Sequence, residues 1–353
     1  MRPKMNQNGR LIKNSPNDQD ILRALARRVI GQPSATQSII PYVHMHQAGL
    51  APEGRPVGVF LLLGPTGTGK TKTVEALAEV LHGSEKNLLR VDCGEFQMEH
   101  EVAKLIGAPP GYLGHRETSP ILTQQKLTAV TSERCNISII LFDEIEKAAP
   151  SMTRLLLGIL DKAALRLGDN SAVNFDKSLI FLTSNLGARE MMKEIIPGFG
   201  FDAMVPRDHR RVSSKLQSIG LSAVKRKFSP EFVNRIDSVI TYEPLSAGTL
   251  AEILDIQIAE LQRHIYRRLG PRAFRIGVSK PARKFLLTRG TSEQYGAREL
   301  KRTLHRQVVQ PLASLITRGG VEPGDIVRIE LAPDKQSLRF RTYEADDQLR
   351  PAA

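Results

Sequence analysis

Two short stretches bring together residue types that handle phosphate chemistry. The first is Gly64-Pro65-Thr66-Gly67-Thr68-Gly69-Lys70-Thr71, a complete G-x-x-x-x-G-K-T pattern. An apolar run, Val57–Leu63, reads as a buried strand entering it. Val74, Leu77, Ala78 and Leu81 then recur at helical spacing, with Gly83 as a stop signal. In that context the glycines let backbone N–H groups wrap phosphates, and the helix N-terminus adds the positive end of its dipole. Lys70 is placed to neutralise the β- and γ-phosphates, and the Thr71 hydroxyl to ligate Mg²⁺. The second stretch is Ser138-Ile139-Ile140-Leu141-Phe142-Asp143-Glu144, an apolar strand ending in two acids. Such a strand can set Asp143 on the Mg²⁺ shell and Glu144 beside an attacking water. Alone, a strand ending in acids is common; downstream of a phosphate loop it is the expected partner. Together the two imply nucleoside triphosphate hydrolysis.

The elements that must hold these residues follow from the hydrophobic pattern. From about residue 19 to 244, short apolar runs alternate with helical patterns, which predicts an α/β domain with a parallel sheet and crossover helices. The runs are Val57–Leu63, Leu88–Cys93, Ser138–Phe142, Leu179–Thr183 and Ser238–Tyr242. After Pro244 the pattern changes. Leu250, Leu254, Ile258, Leu261 and Ile265 mark one long amphipathic helix closed by Gly270-Pro271, and two further helical stretches follow. With Ile326–Leu331 and Leu338–Tyr343 as strands, a small α+β domain is expected over 245–345, then a tail over 346–353. Residues 1–18, rich in Asn, Pro and Lys, read as a disordered basic arm.

The order of motifs resembles an AAA+ ATPase, in particular the second ATPase module of the Clp unfoldases and disaggregases, over nearly the whole chain. Val29-Ile30-Gly31-Gln32 resembles the segment that lies against adenine in that family, so Ile30 is carried over as a nucleotide contact. Leu182-Thr183-Ser184-Asn185 is similar to the first sensor; its Asn185 amide is expected either to orient water near Glu144 or to form a turn with Leu186-Gly187. The segment from Phe228 through Arg235 to Asp237 is similar to the arginine-finger segment. Arg235 is expected to reach a neighbouring subunit's γ-phosphate, or else to pair locally with Glu231 or Asp237. Tyr295-Gly296-Ala297-Arg298 resembles the second sensor, in which Arg298 reaches the nucleotide from a lid domain. The resemblance implies ATP and Mg²⁺ as cofactors and a homo-oligomer, expected as a hexamer. It further implies that the lid domain rotates against the large one to drive the pore.

The same resemblance bears on substrate. Gly107-Ala-Pro-Pro-Gly-Tyr112-Leu-Gly114 is similar to the pore loop that grips polypeptide, which implies Tyr112 as a substrate contact and proteins as substrates. A Pro-Pro-Gly-Tyr turn can also tuck its ring against the sheet. Two departures fall on substrate handling: His115-Arg116-Glu117 stands where relatives carry an aromatic and two acids, and the second pore loop reads Leu167-Gly-Asp-Asn-Ser-Ala172. Phe199-Gly200-Phe201 is either the tripeptide by which some relatives dock a ClpP-like peptidase or a hydrophobic loop packed on its own subunit. Ile219-Gly220-Leu221 fits the same letters but sits in a helical pattern, so a core face is expected there.

Composition bounds the alternatives. The 353 residues carry a net charge of +13, with 41% hydrophobic and 25% charged residues, which excludes a wholly disordered or collagen-like chain. The apolar runs are far shorter than the roughly 18 residues a membrane helix needs, and the polar start has no signal-peptide core, so a cytoplasmic protein is expected. Two cysteines, Cys93 and Cys135, make neither a disulfide framework nor a zinc site and read as small buried thiols. The positive surplus lies outside residues 60–200. It leaves a nucleic-acid-associated ATPase switch as the alternative, although 5% aromatic content and no Trp give few stacking platforms, so nucleic acid is not the expected partner.

Overall fold

The computed structural model of the chain describes residues 18–107, 120–195, 209–291 and 296–344. The N-terminal arm, Tyr112, Phe199-Gly200-Phe201 and Tyr295 lie outside the described residues, and so do the expectations placed on them. The chain forms two compact units, one of residues 1–64 and 69–243, the other of residues 244–353, with which 65–68 group.

The first unit is built on a parallel sheet of β1 (Gly58–Leu63), β2 (Leu89–Asp92), β3 (Ser138–Asp143), β6 (Ser178–Ser184) and β7 (Ser238–Thr241), in the order β2-β3-β6-β1-β7. Strands covered on both faces have no reason to alternate apolar with polar residues, and β1 and β6 are buried at every position. Alternate residues divide between two cores. Leu61, Phe142 and Leu182 face one side with Met152, Leu156 and Ile159 of α6 (Pro150–Lys162). Phe60, Leu141 and Phe181 face the other, with α1 (Asp18–Ala26), α2 (Pro33–Gln47) and α3 (Lys70–His82) supplying Ile21, Ile39 and Leu77. Each such side chain removed from water contributes about 1.5–3 kcal/mol before chain entropy is counted.

Short helices α4 (Ala103–Ile106) and α5 (Gln124–Ala129) precede β3, and a hairpin of β4 (Ala164–Arg166) and β5 (Ala172–Asn174) precedes β6. That hairpin, absent from the hydrophobic pattern because its strands are three residues each, carries the Leu167–Ala172 stretch at its turn. Further on are α7 (Ala188–Ile195), α8 (His209–Lys227) and α9 (Pro230–Val233). Gly220 of α8 is buried, and a Cβ there would meet Met191 Cε at 2.8 Å and Leu63 Cδ1 at 3.2 Å. The Ile219-Gly220-Leu221 stretch is therefore a core face, as its helical spacing predicts.

In the second unit α10 (Ala247–Leu269) runs to Gly270, and its Leu250, Leu254 and Ile258 pack with Leu286, Leu300 and Ile329. The remaining helices are α11 (Lys280–Gly290), α12 (Ala297–Leu304) and α13 (Gln310–Thr317). A three-stranded sheet has the order β10-β9-β8, from β8 (Arg275–Val278), β9 (Ile326–Leu331) and β10 (Leu338–Tyr343). Among the described residues no helix is long and apolar enough to cross a membrane.

Candidate functional site

The carboxyl ends of the central strands fall level with one another. Leu63 at the end of β1 is paired with Ser184 at the end of β6, and Phe142 of β3 with Leu182 of β6. The residues that follow, Gly64, Asn185 and Asp143-Glu144, therefore emerge together, at the edge where open parallel sheets place their ligands.

Gly64 leaves β1 with φ of +145°, and a Cβ there would lie 2.6 Å from the Tyr242 carbonyl oxygen. Close approach and backbone conformation both require glycine. Tyr242 is fully buried, its N–H donates to the Leu63 carbonyl at 2.6 Å, and its hydroxyl donates to Thr73 Oγ1 at 2.8 Å. Within the loop Thr68 Oγ1 donates to the Pro65 carbonyl at 2.9 Å, and Gly67 has φ of +79°. Gly69 caps α3 with φ of +108° and offers no side-chain acceptor to the first helical turn. Those N–H groups are the ones an anion takes at a helix N-terminus. Lys70 is buried, and its Nζ donates to the Gly64 carbonyl at 2.7 Å and to Asn185 Oδ1 at 3.0 Å. Thr71 follows in the same turn, half-buried.

Asp143 and the Glu144 backbone are held by groups to which the motif pattern assigned no role. The buried Thr183 hydroxyl donates to Asp143 Oδ1 and accepts the Glu144 N–H at 3.0 Å. Arg90 of β2 donates to Asp143 Oδ2. Glu144 has φ of +57°, a left-handed conformation that costs a non-glycine residue about 1–2 kcal/mol. Asn185 Nδ2 donates to Glu144 Oε1 at 3.4 Å, and Lys147 pairs with Oε2, which raises the Lys147 pKa. The Asn185 backbone N–H donates to Glu146 Oε1 at 3.1 Å. Asn185 also starts the turn, since its carbonyl accepts the Ala188 N–H at 3.1 Å. Asn185 thus faces Glu144 and also forms the turn. Cys93 is buried beside the acids: burial first, then Asp143 and Asp92, push its thiol far above the usual range, so it stays protonated.

Three predicted residues stand elsewhere. Ile30 is half-buried in the turn between α1 and α2, and that turn is fixed at both ends. Arg28 makes a two-point pair with Glu79 of α3 at 2.9 Å, and Gln32 exchanges hydrogen bonds with the Glu243 backbone at 2.8 and 3.3 Å. Arg298 is exposed in the first turn of α12. Arg235 pairs with neither Glu231 nor Asp237. Its Nη1 lies 3.1 Å from Asp161 Oδ1, because the Asp237 carboxylate is already committed to the Val59 N–H at 2.8 Å and Arg55 at 3.4 Å.

The donor set suits a hard divalent cation and a polyphosphate. Thr71 and Asp143 supply oxygen ligands of the kind Mg²⁺ takes, and Lys70 with the uncapped turn of α3 supplies the anion's partners.

Comparison with known proteins agrees with this chemistry. Residues 55–239 match the family profile described as AAA domain (Cdc48 subfamily), and residues 245–329 match that of the C-terminal, D2-small domain of ClpB protein. The chaperone protein ClpB of Mycobacterium bovis is 37% identical over 314 residues, which is 89% of this chain and 33% of that protein. That of Aquifex aeolicus is 39% identical, over 87% of this chain and 29% of that protein. The chain thus spans about a third of the length of these curated relatives. Among solved structures, the Saccharomyces cerevisiae Hsp104:casein complex in its extended conformation superposes with a TM-score of 0.78 at 26% identity. It covers 93% of this chain and 53% of that one. The nucleic-acid alternative finds no support among these relatives.

Proposed function

The chain belongs to the AAA ATPase family, and from that membership we propose that it hydrolyses ATP within a cytoplasmic homo-oligomer, a hexamer, to remodel or thread polypeptide. The observation that carries the ATPase part is the connected set Lys70–Asn185–Glu144–Thr183–Asp143 at the ends of β1, β3 and β6. Lys70 and the first turn of α3 bind and orient the polyphosphate, and the Gly64–Gly69 loop wraps it with backbone N–H groups. Mg²⁺, when bound by Thr71 and Asp143, supplies charge neutralisation at the phosphates. Glu144 accepts the proton of the attacking water on a carboxylate oxygen, while Asn185 Nδ2 holds that carboxylate in place. Arg235 completes the charge stabilisation from a neighbouring subunit, Arg298 reports nucleotide state from the second unit, and Ile30 contacts the base.

The likeness to ClpB and to the Hsp104:casein complex supports a polypeptide as substrate, and Tyr112 is the contact proposed for it. Docking of a ClpP-like peptidase through Phe199-Gly200-Phe201 belongs to the same proposal. The test is steady-state ATP turnover with and without an unfolded polypeptide. Glu144→Gln is expected to lower turnover at least ~100-fold. Tyr112→Ala is expected to keep basal turnover and lose stimulation by polypeptide. Turnover indifferent to polypeptide and to Tyr112 alike refutes threading and leaves the ATPase standing.

A further inference from the structure

An arginine that acts on another subunit's nucleotide has to be held at both its backbone and its guanidinium. The backbone is pinned on either side of Arg235. Upstream, the Ser229 hydroxyl caps α9 by accepting the Phe232 N–H at 3.3 Å, and buried Phe232 stacks on Phe228 with ring centroids 5.1 Å apart. Downstream, the Asp237 N–H donates to the Val59 carbonyl at 2.9 Å and its carboxylate accepts the Val59 N–H at 2.8 Å. The turn that carries Arg235 is therefore fastened to β1.

The guanidinium pairs with Asp161 of α6, its Nη1 lying 3.1 Å from Asp161 Oδ1. Among the described residues it has no other side-chain partner. Asp161 is the next-to-last residue of α6, where a carboxylate faces the negative end of the helix dipole. A carboxylate there is locally unfavourable, and the Arg235 guanidinium is the partner that accounts for it. The pair is also no stability device. The two side chains are 38% and 35% exposed, in the range where ion pairs contribute little to folding. What such a pair does is set the direction of a guanidinium that remains partly exposed.

We propose that Asp161 is a positioning residue for Arg235, holding its guanidinium in the direction from which it reaches a neighbouring subunit's phosphate. This rests on reading Arg235 as a trans-acting arginine. It also places the element that follows the catalytic strand β3 in direct contact with the group serving the next site.

The test is ATP turnover by full-length protein for Arg235→Ala, Asp161→Asn, Asp161→Ala, Asp161→Glu and the Asp161→Asn/Arg235→Ala pair, with assembly followed by light scattering. Asp161→Asn is expected to lower kcat about tenfold, as a misdirected catalytic group does, with KM for ATP, assembly and thermal midpoint unchanged. Asp161→Ala should match it, Asp161→Glu should recover part of the loss, and in the Arg235→Ala background Asp161→Asn should have no further effect. An equal loss in that background, a raised KM with kcat intact, or full activity of Asp161→Asn beside an impaired Arg235→Ala overturns the proposal alone. Full activity of Arg235→Ala overturns the trans-acting reading, and the role of Asp161 with it.

Discussion

Thr183 joins the two acids through one hydroxyl, donating to Asp143 and accepting from the backbone of Glu144. That second bond closes the N–H of a residue in a left-handed conformation, so the hydroxyl fixes the direction of the Glu144 side chain as well as that of Asp143. Thr183→Val keeps the shape and removes both bonds, leaving a partly buried N–H and a carboxylate oxygen without their partner. The expected result is a stability loss of about 1–3 kcal/mol by chemical denaturation. Turnover should fall with it and demand more Mg²⁺ for half-saturation, and Thr183→Ser should restore both. An unchanged Mg²⁺ dependence in a destabilised Thr183→Val would reduce Thr183 to packing. The phosphate loop and the acid-ended strand name the acids but not this bridge. Glycine spacing and acid pairs are written locally, whereas Thr183 and Arg90 reach the site from the neighbouring strands β6 and β2. The same limit hides Asp161: sequence proximity offers Arg235 only Glu231 or Asp237 as a local partner, whereas Asp161 comes from a distant helix.

At the scale of elements, the parallel sheet was legible because its inner strands are uniform apolar runs, and α3 and α10 because their apolar residues recur at helical spacing. What was not legible is short or half-exposed: the β4–β5 hairpin and β8 are three or four residues long and carry little pattern. The junction of β1 with the phosphate loop shows what pattern alone conveys and what only packing adds. A glycine at position 64 belongs to the motif, but its necessity comes from the Tyr242 carbonyl, 2.6 Å from where a Cβ would sit. Gly64→Ala therefore has to move the loop or β7. A loss of about 1–3 kcal/mol is expected from the forced contact, together with weakened nucleotide binding, measured by denaturation and by fluorescent-nucleotide titration. Gly69→Ala makes the contrast: among the described residues nothing lies within 4 Å of its Cβ, so the left-handed backbone is what opposes it, and the smaller stability loss of the two is expected. Equal losses would mean that packing against Tyr242 adds nothing.

For the molecule as a whole, acid sensitivity has an identifiable internal source. His82 ends α3 and is buried, with Nδ1 3.1 Å from Ser132 Oγ. Burial lowers its pKa from the ordinary value, opposed in part by the Ile137 backbone. In the unfolded chain the ring titrates near its usual value of about 6.5, so below that pH the unfolded state binds the proton that the folded state refuses. Stability is thus full above about pH 6.5 and is lost as pH falls toward the folded pKa, at no more than ~1.4 kcal/mol per pH unit for one proton. The surplus of positive charge, +13 with histidines neutral, adds self-repulsion in the same direction as they protonate. The two contributions separate by experiment. His82→Gln should flatten the fall in thermal midpoint between pH 7 and 5 at any salt concentration, because a buried ring is poorly screened. Added salt should relieve the self-repulsion in wild type and variant alike. If His82→Gln leaves the pH profile unchanged, the acid sensitivity belongs to the surface charge, and the lower end of α3 is not where protonation acts.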